Sequence, residues 1–198
     1  MDTTSIVREH FEESIKVKEK SLNILSGQVA RAAETIHAAL ISGHKILTCG
    51  NGGSAGDAAH FSSEMINRYE MERPALPAIA LTTDTPTLTS ISNDYSYEKI
   101  FERQVRAIGL QGDILLMFTT SGNSANLLPA LQAAHDRGLK TIAVSGKDGG
   151  KLAPLLAEHD LEIRVPAEKT ARIQETHLVI IHSICDLIDK LLFGNPNE

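Results

Sequence analysis

The chain has 198 residues, 42% of them hydrophobic, with a formal net charge of −6, which suits one large soluble domain and argues against non-specific nucleic-acid binding. Its two cysteines, Cys49 and Cys185, both sit in apolar runs, so a reducing, cytoplasmic setting is expected rather than a disulfide framework. The charged N-terminus is unlike a secretory signal, and the most apolar stretch, HLVIIHSICDLIDKLLF, is broken too often by His182, Asp186, Asp189 and Lys190 to span a membrane.

Residues 1–43 contain no proline and read as a helical segment of two helices, broken near Ser26 and Gly27. Residues 44–198 read as one compact unit. Short runs rich in Ile, Val and Leu follow at 45–49 (KILTC), 77–82 (PAIALT), 113–119 (DILLMFT), 139–145 (LKTIAVS) and 161–165 (LEIRV). Most are continuously apolar, as strands covered on both faces are. Helical patterns lie between them, such as 124–138 with a serine start and a glycine stop. The alternation predicts an α/β fold, a doubly wound sheet of five parallel strands flanked by helices. A long last helix is expected over 171–192, apolar at Ile173, Leu178, Ile180, Ile181, Ile184, Leu187, Ile188 and Leu191. So much apolar surface calls for cover from a neighbouring chain, so a homo-oligomer is expected with this helix at its centre.

Ligands of an open parallel sheet bind beyond the carboxyl ends of its strands. Two loops belong there, CGNGGSAGD after the first strand and TTSGNSAN after the third run. Neither matches a dinucleotide fingerprint or a nucleotide-phosphate loop. Each alone is as consistent with plain turn chemistry, but the pair at one sheet end points to a phosphorylated small molecule held by helix-start amides and hydroxyls. His60 and Glu64, four residues apart, share one helix face directly after the first loop, where they form either a surface pair or part of a zinc-like site. Gln174, His177 and His182 punctuate the apolar last helix. Gln174 and His182 are eight residues apart, about 12 Å of helix rise, so both reach one ion only if the first turn splays or if they come from different subunits. An interface site is the favoured expectation. His177 reads as a core or interface histidine, and Arg68 either holds a carboxylate or substrate hydroxyl or lies solvated.

The ordered motifs CGNGGSAGDAAHF, NRYEMERP, ISNDYSYEKIF, GDILLMFTTSGNSAN, GKDGG and ARIQETHLVIIHSICDLID resemble the phosphoheptose isomerases of the sugar isomerase (SIS) domain superfamily, nearly end to end. The resemblance implies a cytoplasmic homotetramer with sites between subunits, acting on a sugar phosphate and not on nucleic acid or membrane. It implies isomerisation of sedoheptulose 7-phosphate to D-glycero-D-manno-heptose 7-phosphate through an enediol, the first step of ADP-heptose synthesis for lipopolysaccharide core. It places the sugar on Asn51, Gly52, Gly53, Asn93 and Asp94, and the phosphate on Thr119, Thr120, Ser121 and Ser124. It makes His60, Glu64, Gln174 and His182 the ligands of one Zn2+ per subunit, with Gln174 and Glu64 also touching substrate. Nickel or cobalt would suit the same donors. Moving a proton between adjacent carbons needs a base and an acid, assigned here to Glu64 and His182. An acidic residue common just before the Arg-Ile-Gln triplet is Ala171 in this chain. Two other functions share the fold: a protein that binds the replication initiator DnaA without isomerase activity, lacking the carboxylate that Glu64 supplies here, and a sugar-phosphate sensor that needs no base.

Overall fold

The computed structural model describes residues 1–194. It opens on helix α1 (Thr3–Ile41), capped by Asp2, whose carboxylate accepts from the Thr4 and Ser5 N–H groups at 3.1 and 3.2 Å. Gly43, at φ 81°, ends it in the left-handed region. The expected break near residues 26–27 does not occur: one helix runs through. Gly27 faces open space on the exposed side, where a helical glycine costs only about 1 kcal/mol. The row Leu25, Val29, Ala32, Ala33, Ile36 and Ala39, buried at helical spacing, offsets that cost by packing the helix onto the sheet.

The strands are β1 (Ile46–Cys49), β2 (Ala78–Ala80), β3 (Ile114–Phe118), β4 (Lys140–Gly146) and β5 (Leu161–Val165), each within one residue or two of the apolar run that predicted it. All are parallel, in the order β2-β1-β3-β4-β5. The chain therefore reverses direction of travel across the sheet between β1 and β3, and the crevice beyond their carboxyl ends is the natural ligand position. Helices α2 (Gly53–Ile66), α3 (Thr85–Asp94), α4 (Ile100–Ile108), α5 (Leu127–Asp136) and α6 (Thr170–Phe193) complete the layers.

The continuous apolar runs have a simple cause. On β3, Ile114, Leu116 and Phe118 join α1, α2 and α6 in one core, while Leu115 and Met117 join α4 and α5 in the other. Both faces are covered, so neither can be polar. The first segment, residues 1–43, thus contributes its second half to the same core as the sheet. At the amino end of β3, buried Asp113 accepts from the Lys45 side chain at 2.5 Å and from the Lys45 and Leu110 N–H groups. Burial pushes its carboxyl up, but those bonds outweigh it and hold it below the usual range. Among the described residues no helix is long and apolar enough to cross a membrane.

Candidate active site and metal centre

Helices α2 and α6 lie side by side and run parallel, so their polar residues meet in rungs. At the first rung the Gln174 amide packs against Gly53, so closely that a side chain at position 53 would displace it. Next, Asp57 Oδ2 stands 3.5 Å from His177 Nδ1, and His177 Nε2 donates to the Ser145 carbonyl at 3.1 Å. The third rung sets His60 Nε2 3.1 Å from His182 Nε2, with Glu64 Oε1 3.2 Å from His60 on the other side. Beyond it, Arg73 Nε donates to Asp189 Oδ1 at 2.8 Å, both side chains being almost fully buried.

Three of the four expected ligands therefore come together within one chain. His60 is the middle of the row: Glu64 and His182 flank it without closing on one another. Gln174 lies two rungs away, beside the start of α2. The splayed-turn route to a shared ion is ruled out, because α6 is regular from Thr170 onward and Ile173 N–H already bonds the Lys169 carbonyl. The donors suit a zinc ion nonetheless. Two imidazole Nε2 atoms facing each other at 3.1 Å cannot both present lone pairs without a proton or a cation between them, and a carboxylate stands alongside. The two spacings from His60 Nε2, 3.1 and 3.2 Å, match the roughly 3.3 Å between donors around tetrahedral zinc. Glu64 and His182 stand more than 4.8 Å apart, so the Glu64 side chain would turn inward to close on an ion.

The two loops meet where the topology places them. The Asn51 and Asn126 side chains exchange two amide bonds, at 2.8 and 2.9 Å, tying the loop after β1 to the loop after β3. The Tyr97 hydroxyl adds a third bond to Asn51 Oδ1 at 3.0 Å. Gly52 (φ 57°) starts α2 with no side-chain cap; the Ser54 and Ala55 N–H groups bond the Asn51 and Gly52 carbonyls at 3.0 Å, so Gly53 N–H is the first-turn donor that faces a ligand. In the second loop Thr119 Oγ1 accepts from Gly122 N–H at 3.1 Å and Ser121 Oγ from Asn123 N–H at 3.3 Å. A hydroxyl that accepts from the backbone keeps its own proton to donate, as an oxyanion requires. Thr120 and Ser124 are half-buried beside them. Gly122 packs against Gly149 in the GKDGG loop, and Leu152 N–H bonds the Gly122 carbonyl at 3.0 Å, which fixes the hydroxyl loop from behind. Asn93 and Asp94 sit exposed at the end of α3, bonded to each other at 2.9 Å.

Some participants carried no signal that spacing reads. Tyr69 stacks on His182, ring centroids 5.4 Å apart; burial pushes its phenol up, as do Glu70, Asp186, Cys185 and Glu64 nearby. Arg73 bonds the carbonyls of Glu64 and Met65 at 2.8 and 2.7 Å and so caps the end of α2. Both lie in the NRYEMERP motif, where only Arg68 was weighed; Arg68 is exposed and bonds the Glu70 carbonyl. Asp57 lay between better-marked neighbours. Cys185, beside Glu64 on the packed face of α6, has its thiol pushed up to about 12 by burial and then by the Glu64 and Asp189 charges, so it is no nucleophile.

A parallel sheet with a glycine loop, a hydroxyl loop and a histidine–carboxylate row at its switch point defines a phosphosugar-binding protein of the SIS-domain class, and residues 9–146 match the SIS domain family. The chain is 57% identical to a phosphoheptose isomerase of Halorhodospira halophila, over 99% of each chain, and 60% identical to one of Alkalilimnicola ehrlichii, over 94% of this chain and 95% of that one. The solved phosphoheptose isomerase of Francisella tularensis superposes with a TM-score of 0.94 at 45% identity, covering 96% of this chain and 100% of that one. That of Neisseria gonorrhoeae gives 0.90 at 48%, covering 94% and 98%. The chain belongs to the phosphoheptose isomerase family.

Proposed function

We propose that this isomerase converts sedoheptulose 7-phosphate to D-glycero-D-manno-heptose 7-phosphate, supplying the first intermediate on the way to ADP-heptose in the cytoplasm. The observation that supports the reading is the His60–Glu64–His182 row, whose first two members stand on the helix that starts from the glycine loop. Asn51 and Asn126 tie that loop to the hydroxyl loop at the switch point of the sheet. In the proposal the phosphate rests on Thr119, Thr120, Ser121 and Ser124, while Asn51, Gly52, Gly53, Asn93 and Asp94 face the sugar chain.

Glu64 takes the proton from C1 as His182 gives one to the C2 carbonyl oxygen, and the electron pair from the C1–H bond becomes the enediol double bond. The return step reverses the roles: the Glu64 proton goes to C2, and the C1 hydroxyl gives its proton to His182 as the aldehyde forms. Glu64 Oε1 is turned to His60, so proton transfer is assigned to Oε2. His60, Glu64 and His182, with Gln174, would hold one zinc ion per subunit, which would supply Lewis-acid stabilisation of the charge that builds on the substrate oxygens. Purified protein incubated with sedoheptulose 7-phosphate in deuterated water is expected to form heptose 7-phosphate with solvent deuterium at C2, and to lose turnover with a chelator. Absence of turnover in zinc-loaded protein would remove the reading. Presence of Glu64 runs against the initiator-binding alternative, and turnover would separate the enzyme from a mere sensor.

We further propose a homotetramer in which Gln174 reaches the row of a neighbouring chain. Support comes from α6, where Leu178, Val179, Leu191 and Phe193 remain exposed, and from a groove of about 550 Å³ between α1 and α6 lined by Leu22, Leu25, Val29, Val179 and Leu187. Gln174→Ala and His60→Ala chains, each inactive alone, are then expected to regain about a quarter of wild-type activity when co-assembled, because some interfaces bring the two intact halves together. Mixed oligomers that stay inactive would show that each site is built by one chain.

A further inference from the structure

We propose a second divalent-cation site, built from His135, His159 and Asp160, at the end of the sheet away from the glycine and hydroxyl loops. His135 lies in the last turn of α5; His159 and Asp160 immediately precede β5. Asp160 Oδ1 accepts from Thr141 N–H, on the second residue of β4, so the cluster stands at the amino ends of β4 and β5. The loops of the active site stand at the carboxyl ends.

The carboxylate is the fixed part. Its side chain is fully buried and is held by backbone donors on both oxygens, Thr141 N–H on Oδ1 at 2.8 Å and Ala157 N–H on Oδ2 at 2.9 Å. Such bonds would be enough if Asp160 only anchored the loop before β5. They do not account for two imidazoles gathered on the same group. A carboxylate has about four acceptor positions, so two remain, one on each oxygen. His135 Nε2 stands 2.7 Å from Oδ2, and His159 Nε2 3.7 Å from Oδ1. The rings meet edge-on, centroids 5.8 Å apart at 63°, rather than stacking. Among the described residues this is the one group in which three His, Cys, Asp or Glu donors all lie within 4.8 Å of one another.

Zinc holds nitrogen and oxygen donors at about 2.0–2.2 Å, which puts them roughly 3.3 Å apart. The His135 spacing, 2.7 Å to Oδ2, is shorter than that and the His159 spacing, 3.7 Å to Oδ1, is longer; with one donor atom taken from each residue, all three lie within 4.8 Å. His159, half-exposed, is free to swing inward, and a cation would replace the proton that His135 now shares with Asp160. Backbone donors that orient a ligating carboxylate are the usual support for such a site. Two imidazoles and one carboxylate favour zinc, nickel or copper(II) over magnesium or calcium, which prefer all-oxygen shells. The fourth position falls to water. Bound there, the ion joins the end of α5 to the loop entering β5, and it needs none of the residues assigned to isomerisation.

The test is zinc stoichiometry on the full-length protein at micromolar free zinc, measured by equilibrium dialysis and elemental analysis. Wild-type protein is expected to hold two zinc ions per chain; His159→Ala and His135→Ala are each expected to hold one fewer and to keep isomerase activity. His182→Ala is expected to lose the other ion and retain this one. Because His159 is exposed, its replacement leaves the fold intact, and a thermal melt checks that. Identical zinc content in wild type, His135→Ala and His159→Ala would overturn the proposal, whatever becomes of the ion at His60 and His182.

Discussion

Glu64→Gln is expected to lower kcat by about 10²–10⁴-fold while leaving KM within a few-fold of the wild type. The amide is nearly the same size and can still lie against His60, so the fold and the hydroxyl loop have no reason to change. What disappears is the ability to take a proton from carbon, and zinc content measured on the same sample distinguishes that loss from the loss of a metal ligand. Solvent exchange separates this from a general loss of binding: deuterium incorporation at C1 and C2 of the sugar should fall in step with turnover. Retained exchange at wild-type rate would move the base elsewhere, and Asp57, one rung along α2, would be the next carboxylate to examine.

Asp189→Ala carries the largest expected stability effect. The Arg73 guanidinium is almost wholly buried, and Asp189 is its only carboxylate partner among the described residues; its other bonds go to the carbonyls of Glu64, Met65, Asn67 and Pro74. Removing one member of a buried pair strands the other charge, which costs about 3–5 kcal/mol. For a chain of this size that corresponds to a fall in melting temperature of roughly 6–20 °C, read at matched protein concentration. Asp189→Asn keeps a hydrogen-bond acceptor and should lose less. The pair also joins the end of α2, which carries His60 and Glu64, to α6, which carries His182. Activity at low temperature is therefore expected to fall along with stability. A melting temperature equal to the wild type would mean that water solvates the guanidinium in the assembled protein.

The fold was legible because burial on both faces leaves a plain mark: five apolar runs of the right length became five strands, and the glycine and hydroxyl loops fell at the switch point as their order required. The N-terminal helix was misread for an equally plain reason. A lone glycine on a helix's exposed side looks in the sequence like a boundary, but the row from Leu25 to Ala39 packs as one face and carries the helix through it. Of the candidate site residues, His60 and Glu64 are marked in the sequence by their i, i+4 spacing directly after the glycine loop, and His182 by being polar in an apolar face. Tyr69, Arg73 and the Asp57–His177 rung depend on which helices lie side by side, and no local period encodes that.

The unbroken α1, 39 residues and about 58 Å long, works as a keyed shaft. From His10 onward one side of it is tied to the domain, through Arg172 on the His10 carbonyl, Lys169 on Glu13 and Val17 on the core, while Ile6, Val7, Phe11 and Ile15 project into solvent. Each residue inserted or deleted between those teeth and the buried row that starts at Ser21 turns them by about 100° relative to that row, whereas a change of seven residues nearly restores their angle. Length change along this arm is thus quantised: two whole turns added keep the teeth on the side they now face, but a single-residue slip points them the wrong way.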